Sequence, residues 1–433
     1  MKKLTFLLSV VAWLMAMPMM AGVGDEFTSG NLKFKVITEN ETTKEVQVIR
    51  PDAPLSGDVV IPDHVTNNSV KYSVASIKGG ESAQGCAFRE MNGITSVTIP
   101  YTVYSMELSA FYHCTGLKYV YNYGSMDKID GWTFNGCTSL EYCRIPATIT
   151  EIGESAFQGS DKFSNLVIPG NVTIKQNAFN GCKGLKALYI LGTALTIENG
   201  TAFYEITDNS DPDKCPKFYA RNSMVNTIKD ALKDKADWLI NFVSDEIPYT
   251  PAKDYTTFCR DFDVDFSAAT GLKAGVALSS TLDEGKLTFT MKSSVPAGTG
   301  VLLKGTAGAT YTLKIAESAP AAVGGNLMKG VIYNTTIDQT DGGNTNFVLS
   351  GGTFKKVNSS GNTIPAGKAY LQLPTPSSSA RDISFSFDDE PTGINKVQGV
   401  EQKDDSYYNL QGQRVSQPMK GLYIINGKKV VVK

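Results

Sequence analysis

Histidine is almost missing from this 433-residue chain: His64 and His113 are the only two. Zinc sites draw on His and Cys that converge on one point, and general acid–base chemistry most often uses His. Both are poorly supplied here. A surplus of one charge is lacking too, with 41 Lys plus Arg against 43 Asp plus Glu. A formal net charge of −2 leaves no electrostatic footprint for nucleic acid or an anionic membrane. No apolar run beyond the N-terminal residues approaches a membrane span. The sequence also has no GxxxxGK[ST] loop, no HExxH pair and no G-x-S-x-G elbow. His113 stands beside Cys114, but neighbours in sequence do not make a nucleophile–base pair, because the two must meet in space. No carboxylate pair is singled out for glycoside cleavage. The expectation is a protein that is not an enzyme, with no cofactor and no metal.

At the start, Met1-Lys2-Lys3 is a short basic segment, and Leu4 to Met17 is apolar apart from Thr5 and Ser9. Pro18 breaks the run and Ala21 precedes Gly22. This pattern predicts a secretory signal peptide over 1–21, cleaved after Ala21, and hence an exported mature chain with no membrane insertion. The alternative is an uncleaved anchor, for which the run is short. Export permits disulfides. The seven Cys (86, 114, 137, 143, 182, 215 and 259) are odd in number, and their placement argues against a disulfide framework.

A repeat dominates the first half. Phe88, Phe111, Phe134, Phe157, Phe179 and Phe203 follow small residues at steps of 23, 23, 23, 22 and 24. Aligned on the Phe, apolar columns appear. The sixth place onward holds Ile94, Leu117, Leu140, Phe163 and Leu185. The ninth holds Val97, Val120, Cys143, Leu166 and Leu188, and the eleventh holds Ile99, Ile145, Ile168 and Ile190, interrupted by Asn122. One such unit cannot bury its own apolar face, but stacked units bury a continuous core. The L-x-x-L-x-L spacing is that of a leucine-rich-repeat strand. Ile-Pro pairs (Ile61-Pro62, Ile99-Pro100, Ile145-Pro146, Ile168-Pro169) stop the strands, since Pro has no N–H for the ladder. Cys114, Cys137 and Cys182 share one column with Met91 and Ser160. They read as a stacked row of small buried side chains, with a Cys114–Cys137 disulfide left open. After Phe203, apolar residues from Met224 to Leu239 recur near a 3.6 period, predicting a helix over 224–240 that caps the array, with Asn222 or Ser223 as N-cap and Trp238 over the last turn.

The units SAFYHCTGLKYV, WTFNGCTSLEYCRIP, SAFQGSDKFSNLVIP and NAFNGCKGLKALYI resemble the BspA-like leucine-rich repeats (LRR_5 type) of secreted and surface proteins from host-associated bacteria. The resemblance covers 55–245. It implies an extracellular, cell-surface binding role, with adhesion to a host extracellular protein or glycan, or to another bacterial surface.

From Pro251 the Phe period stops, and strand-like stretches alternate with Gly-rich turns. Lys286–Met291, Gly300–Lys304, Thr310–Ile315, Asn346–Leu349, Ala369–Leu373 and Ile383–Phe387 read as strands, and 252–388 as an all-β sandwich. Val295-Pro-Ala-Gly and Ile364-Pro-Ala-Gly echo each other 69 residues apart, as two similar turn-to-strand entries. The run Asp261-Phe262-Asp263-Val264-Asp265-Phe266 puts three carboxylates on one strand face. That face is a solvated one, or a row that calcium uses. Residues 389–406 read as a linker. In 407–433, Leu422–Ile425 and Lys428–Val432 flank Asn426-Gly427, a hairpin signal. This C-terminal β element resembles the sorting domains of the type IX secretion route, which implies surface attachment.

The expected fold is thus mainly β: a leucine-rich solenoid over 22–245 with a helical cap, a β-sandwich over 252–388 and a small C-terminal β element. In each repeat strand the neighbours of the ninth-place residue point away from the core. Tyr119, Tyr121, Tyr142, Arg144 and Tyr189 fall in this set. Tyr and Arg are enriched at binding hot spots. The concave face they share is the candidate binding site. Tyr also simply suits strands. A structural spacer and glycan capture by the β-sandwich are the other readings.

Overall fold

A computed structural model describes residues 22–206, 215–283, 286–358, 361–374, 382–389, 407–408, 414–415, 421–425 and 428–432. The expected leader (1–21) and most of the expected linker lie outside these. The chain up to Asp388 forms one compact unit, and 389–433 a second.

The repeats stack as a succession of short strands and tight turns. On one side, Ser56–Val60, Gly93–Ile99, Tyr119–Asn122 and Tyr142–Cys143 form a parallel ladder, with Ser96 opposite Tyr119 and Tyr119 opposite Tyr142. A second parallel ladder runs through Asn165–Ile168, Ala187–Ile190, Lys217–Ala220 and Val243–Ser244. No strand pairing joins the two ladders across Cys143 and Asn165 among the described residues. Another parallel ladder, Lys128–Ile129, Glu151–Ile152, Val172–Ile174 and Leu195–Ile197, buries Ile129, Ile152, Val172, Ile174, Leu195 and Ile197.

All six Phe of the repeat column are fully buried and stack on one another. Their ring centroids are 4.8, 5.5, 5.4, 5.5 and 5.6 Å apart from Phe88 to Phe203, with ring planes within 19° of parallel. Two residues after each Phe the backbone turns left-handed, at Glu90, His113, Gly136, Gly159, Gly181 and Glu205. In the first five of these the N–H donates to a carbonyl of the next turn, as Gly136 does to Gln158 (2.8 Å). Glycine adopts this conformation without strain, which accounts for the F-N-G and F-Q-G texts.

The Cys column does more than fill space. The thiol of each Cys donates to the carbonyl of the preceding turn's Phe: Cys114 to Phe88 (3.0 Å), Cys137 to Phe111 (3.2 Å) and Cys182 to Phe157 (3.0 Å). Ser160 makes the same bond to Phe134 (3.2 Å). All seven Cys are buried and none is in a disulfide. Burial pushes the Cys114 and Cys182 thiols up to about 12. Asn122, the break in its apolar column, is fully buried; its Oδ1 accepts the Gly124 N–H at 3.0 Å.

Both ends of the array are covered. At the start, Leu32–Glu39 and Lys44–Ile49 pair antiparallel, and Lys44–Ile49 then runs parallel to Val70–Ile77. Leu32, Phe34 and Val36 alternate inward to join the repeat core. At the far end the helix is shorter than the periodicity predicts. An α-helix spans only Val225–Leu232, and a 3-10 turn follows at Asp237–Phe242. The chain leaves the helix at Lys233, and Asp234 is left-handed, its N–H bonded to the Asp237 carboxylate at 2.7 Å. Ile228, Leu232, Ala236 and Leu239 are buried against the repeats, whereas Trp238 keeps 37% of its surface exposed. Neither Asn222 nor Ser223 caps the α-helix; Ser223 Oγ donates instead to Glu317 (2.6 Å).

The second half is built of strands. Six fall where the alternation predicts: Lys286–Met291, Val301–Lys304, Tyr311–Ile315, Asn344–Ser350, Lys368–Pro374 and Asp382–Phe387. Lys273–Asp283, Met328–Val331 and Thr353–Lys356 are additional. A four-stranded sheet and a larger one enclose a core of Phe258, Phe262, Val264, Val276, Val301 and Leu313. That core does not stop at the β region: Ala187 and Tyr219 of the repeats belong to it, and Val167, Tyr189 and Leu191 pack on it. The 389–433 unit contains an antiparallel sheet of Tyr407–Tyr408, Arg414–Val415, Gly421–Ile425 and Lys428–Val432, with Ile425 opposite Lys428. Asn426-Gly427 itself lies outside the described residues.

Candidate functional site

The strand face that carries Tyr119, Tyr142 and Tyr189 is where the two halves of the main unit meet. Arg221 donates to the carbonyls of Ala316 (2.9 Å) and Leu191, and Ser223 binds Glu317. Lys314 pairs with Asp245 at 2.6 Å. Tyr189 stacks on Phe262 at 4.6 Å between centroids. Toward the other end, Tyr121 and Tyr142 meet Tyr333 at 4.4 and 5.9 Å. The face that a bare solenoid would offer to solvent is therefore partly covered by the chain itself.

Between these contacts a cleft of about 630 Å³ remains open. The repeats contribute Tyr119, Glu141, Tyr142, Asn165 and Tyr189 to it; the β region contributes Arg260, Asp261, Phe262, Tyr333 and Asn334. It opens where strand pairing lapses between Cys143 and Asn165. One hydrogen-bonded chain closes an end of it across the two halves: Asn334 Nδ2 donates to Tyr119 Oη (3.4 Å), which donates to Glu141 Oε2 (3.0 Å). Past Tyr189 and Arg260 lies a second hollow of about 860 Å³ with Lys183, Lys186 and Lys217 on its wall.

Of the five residues expected on the face, Tyr119, Tyr142 and Tyr189 line the cleft. Tyr121 is turned onto Tyr333, and burial pushes its phenol well up. Arg144 also stands apart. Its guanidinium donates to the Asn122 carbonyl (2.6 Å) and lies 5.0 Å over the Tyr123 ring. Tyr142 is half-buried, so its removal would disturb the packing on Tyr333 as well as the cleft.

The opposite wall was hidden in two sequence features. The alternation at 261–266 is real: Phe262, Val264 and Phe266 are buried. The three carboxylates do not form one row, however. Asp263 accepts the Ala297 N–H (2.9 Å) and Asp265 the Ser267 N–H (2.7 Å), while Asp261 faces the cleft. No group of His, Cys, Asp and Glu among the described residues is arranged to hold a metal. The echoed Pro-Ala-Gly turns have a shared task. Gly298 and Gly367 are both left-handed; the Gly298 N–H donates to the Arg260 carbonyl (2.7 Å), and the Cys259 N–H donates to the Gly367 carbonyl (3.0 Å). The two turns grip Cys259-Arg260 from either side and so aim Asp261. A Cβ on Gly367 would stand 2.7 Å from the Arg260 guanidinium.

Asp261 is only half-buried but is enclosed by protein on the cleft floor. Burial pushes its carboxyl above the ordinary value, against the opposing pull of its own N–H and of Arg260 and Arg144. A carboxylate kept in such surroundings works against folding, and groups of this kind cluster at functional sites.

Residues 82–208 match the family described as BspA type leucine rich repeat region, in six copies. Six copies agree with the six Phe of the column. No curated protein matches the chain. Among solved structures, a leucine-rich repeat protein from Bacteroides ovatus is 25% identical over 46% of this chain and 56% of its own, with a TM-score of 0.33. A leucine rich cell surface protein from Faecalibacterium prausnitzii is 22% identical over 45% of this chain and 54% of its own, TM-score 0.33. A T. pallidum leucine rich repeat protein is 15% identical over 49% of this chain and 99% of its own, TM-score 0.35. The chain thus spans about half the length of the first two.

Proposed function

We propose that this chain is an exported, non-enzymatic binding protein that captures a partner at a cell surface, in the cleft between its concave repeat face and its β-rich second half. The partner is a host extracellular protein or glycan, or another bacterial surface. One observation carries the reading: five aromatic rings and two carboxylates from separate halves of the chain line one preformed recess. Preformed clefts with a few convergent polar groups are the usual form of a ligand site. The leader pattern at 1–21 and the sorting-like C-terminal strands support export and attachment. Among the described residues no helix is long and apolar enough to cross a membrane. In this reading the helix Val225–Leu232 closes the end of the array, and the strands of 252–388 serve as a sandwich that supplies the second wall.

A structural spacer is the second reading, favoured by the coverage of Tyr121 and Tyr189 by the chain's own aromatic residues. The two separate in one experiment. The chain from Gly22 onward is tested against immobilised matrix proteins, glycans and bacterial cells, beside a Glu141→Gln/Asp261→Asn double variant. Both substitutions keep side-chain size and leave the ring contacts in place. Capture lost in the variant is the expected result. Capture by neither chain, or equally by both, removes the cleft reading.

A further inference from the structure

We infer that the cleft takes a neutral oligosaccharide, held against aromatic rings of the two halves with its hydroxyls on Glu141 and Asp261; this rests on the reading of the cleft as the binding site. Size comes first. A recess of about 630 Å³ lies within the range of small-ligand sites, roughly 300–1,000 Å³. A folded protein partner needs a broad patch of about 800 Å² per side, and the β region already occupies much of the concave face.

The lining decides the class. Tyr142 meets Tyr333 and Tyr189 stacks on Phe262, so rings from both halves line the recess. Rings accept C–H faces, yet a wholly apolar ligand would strip water from Asp261, Arg260 and Asn334 without replacing its hydrogen bonds. Ionised carboxylates only accept. Glu141 and Asp261 therefore ask for a ligand dense in O–H or N–H donors. Lys162 and Arg260 line the same cleft, so two cations balance the two carboxylates and the lining favours a ligand with no net charge. Arg260 and the Asn334 amide donate, so the same ligand must accept as well. A hydroxyl does both. A pyranose joins an apolar C–H face to a rim of hydroxyls, and this pairing matches rings and carboxylates on facing walls. A peptide carries far fewer donors per unit length.

The site is composite. Its Asn334–Tyr119–Glu141 bond chain crosses from one half to the other, and Asp261 is aimed by the two Pro-Ala-Gly turns of the β region. The repeats alone hold one wall only.

The test uses the chain from Gly22 and a defined panel: cello-, malto-, xylo-, manno-, laminari- and chitotetraose and lacto-N-tetraose. Binding is read by calorimetry and by the ligand-induced rise in melting temperature. At least one sugar should bind, and Glu141→Gln and Asp261→Asn should each weaken it about tenfold or more, the scale of losing a hydrogen bond to a charged group. Asp127→Asn, exposed beside the Lys128–Ile129 strand and outside the cleft lining, should leave affinity unchanged. Asp261→Asn has a second signature: the unliganded variant melts higher at neutral pH while its sugar-induced rise disappears. A merely structural role for Asp261 would not separate these two effects. Glu141 is exposed, so its variant keeps the test valid if the Asp261 variant folds poorly. Binding of no sugar overturns the inference, as does sugar binding that neither substitution weakens. If the sugars fail but protein or cell capture is still lost in the double variant, the cleft remains the site and only the ligand class is wrong. If both fail, the functional reading falls with it.

Discussion

Replacing Phe134 with Leu should destabilise the protein more than replacing Phe88 with Leu, although both rings are fully buried. The reasoning is a count of faces. Phe134 stacks on Phe111 at 5.5 Å and on Phe157 at 5.4 Å, with ring planes 18° and 19° apart. Phe88 begins the column and stacks only on Phe111, at 4.8 Å. The loss of buried carbon and the residual hole are common to both changes. An aromatic pair adds about 0.5–1.5 kcal/mol beyond its buried area. Phe134→Leu should therefore exceed Phe88→Leu by about that amount, while Phe134→Ala, which opens a larger hole, should cost about 3–5 kcal/mol. Urea titration followed by fluorescence gives the numbers. Trp132 and Trp238 report from the middle and the end of the array, and a single-Trp background separates them. Because within the array each turn packs on its immediate neighbours, the Phe134 variants should lose the Trp132 signal at lower urea than the Trp238 signal. Equal costs at 88 and 134, or a larger cost at 88, would show that the rings merely fill volume.

Glu90 is left-handed where three later turns use Gly, so Glu90→Gly should stabilise by roughly 0.5–1 kcal/mol, the strain relieved less the added chain entropy, read as a shift in melting temperature. Gly136→Ala should do the reverse, since its Cβ would run into the His113 ring. Cys137→Ser should cost no more than about 1 kcal/mol, because Ser160 already makes the equivalent bond, whereas Cys137→Ala loses both the donor and volume and should cost about 1–2 kcal/mol in the same melts. The Asp261 carboxyl is raised above its ordinary 3.8, so in that window the folded state holds a proton that the unfolded state releases. Stability contributed by the group is lost as pH rises through its folded value. Asp261→Asn should therefore melt higher than the parent at pH 7, and the gap should close as pH falls toward about 4.

Why some of this was legible in sequence and some not follows from the range of the interactions. The apolar columns, the Ile-Pro stops and the buried Phe follow from a local pattern repeated every turn, and stacking multiplies the signal. The hydrogen bond of the Cys column was within reach: Ser160, polar and in a column of buried thiols, pointed to a shared donor. The α-helix fell short of 224–240 because periodicity registers which residues are buried, and Ala236 and Leu239 are buried without being in that helix. The N-terminal sheet was missed although Leu32, Phe34 and Val36 alternate cleanly. The cleft is a different matter. Tyr119, Tyr142 and Tyr189 could be placed on one face, but Asp261 and Tyr333 join them only through contacts between residues far apart in sequence. The Pro-Ala-Gly echo was visible as text; its role needed Cys259-Arg260 lying between the two turns.

Solenoids ordinarily diverge by gaining or losing whole turns, because each turn asks only for a neighbour of the same kind. That route is closed here. The β region holds the array at two separated points, Tyr333 on Tyr121 and Glu317 on Ser223. Duplicating one unit between them would push those points apart by a strand spacing of about 4.8 Å, and one attachment would have to let go. Descendants of this chain that keep both attachments must therefore keep their turn count. Their variety would be written in single side chains along the cleft, with the length of the array frozen by the clasp across it.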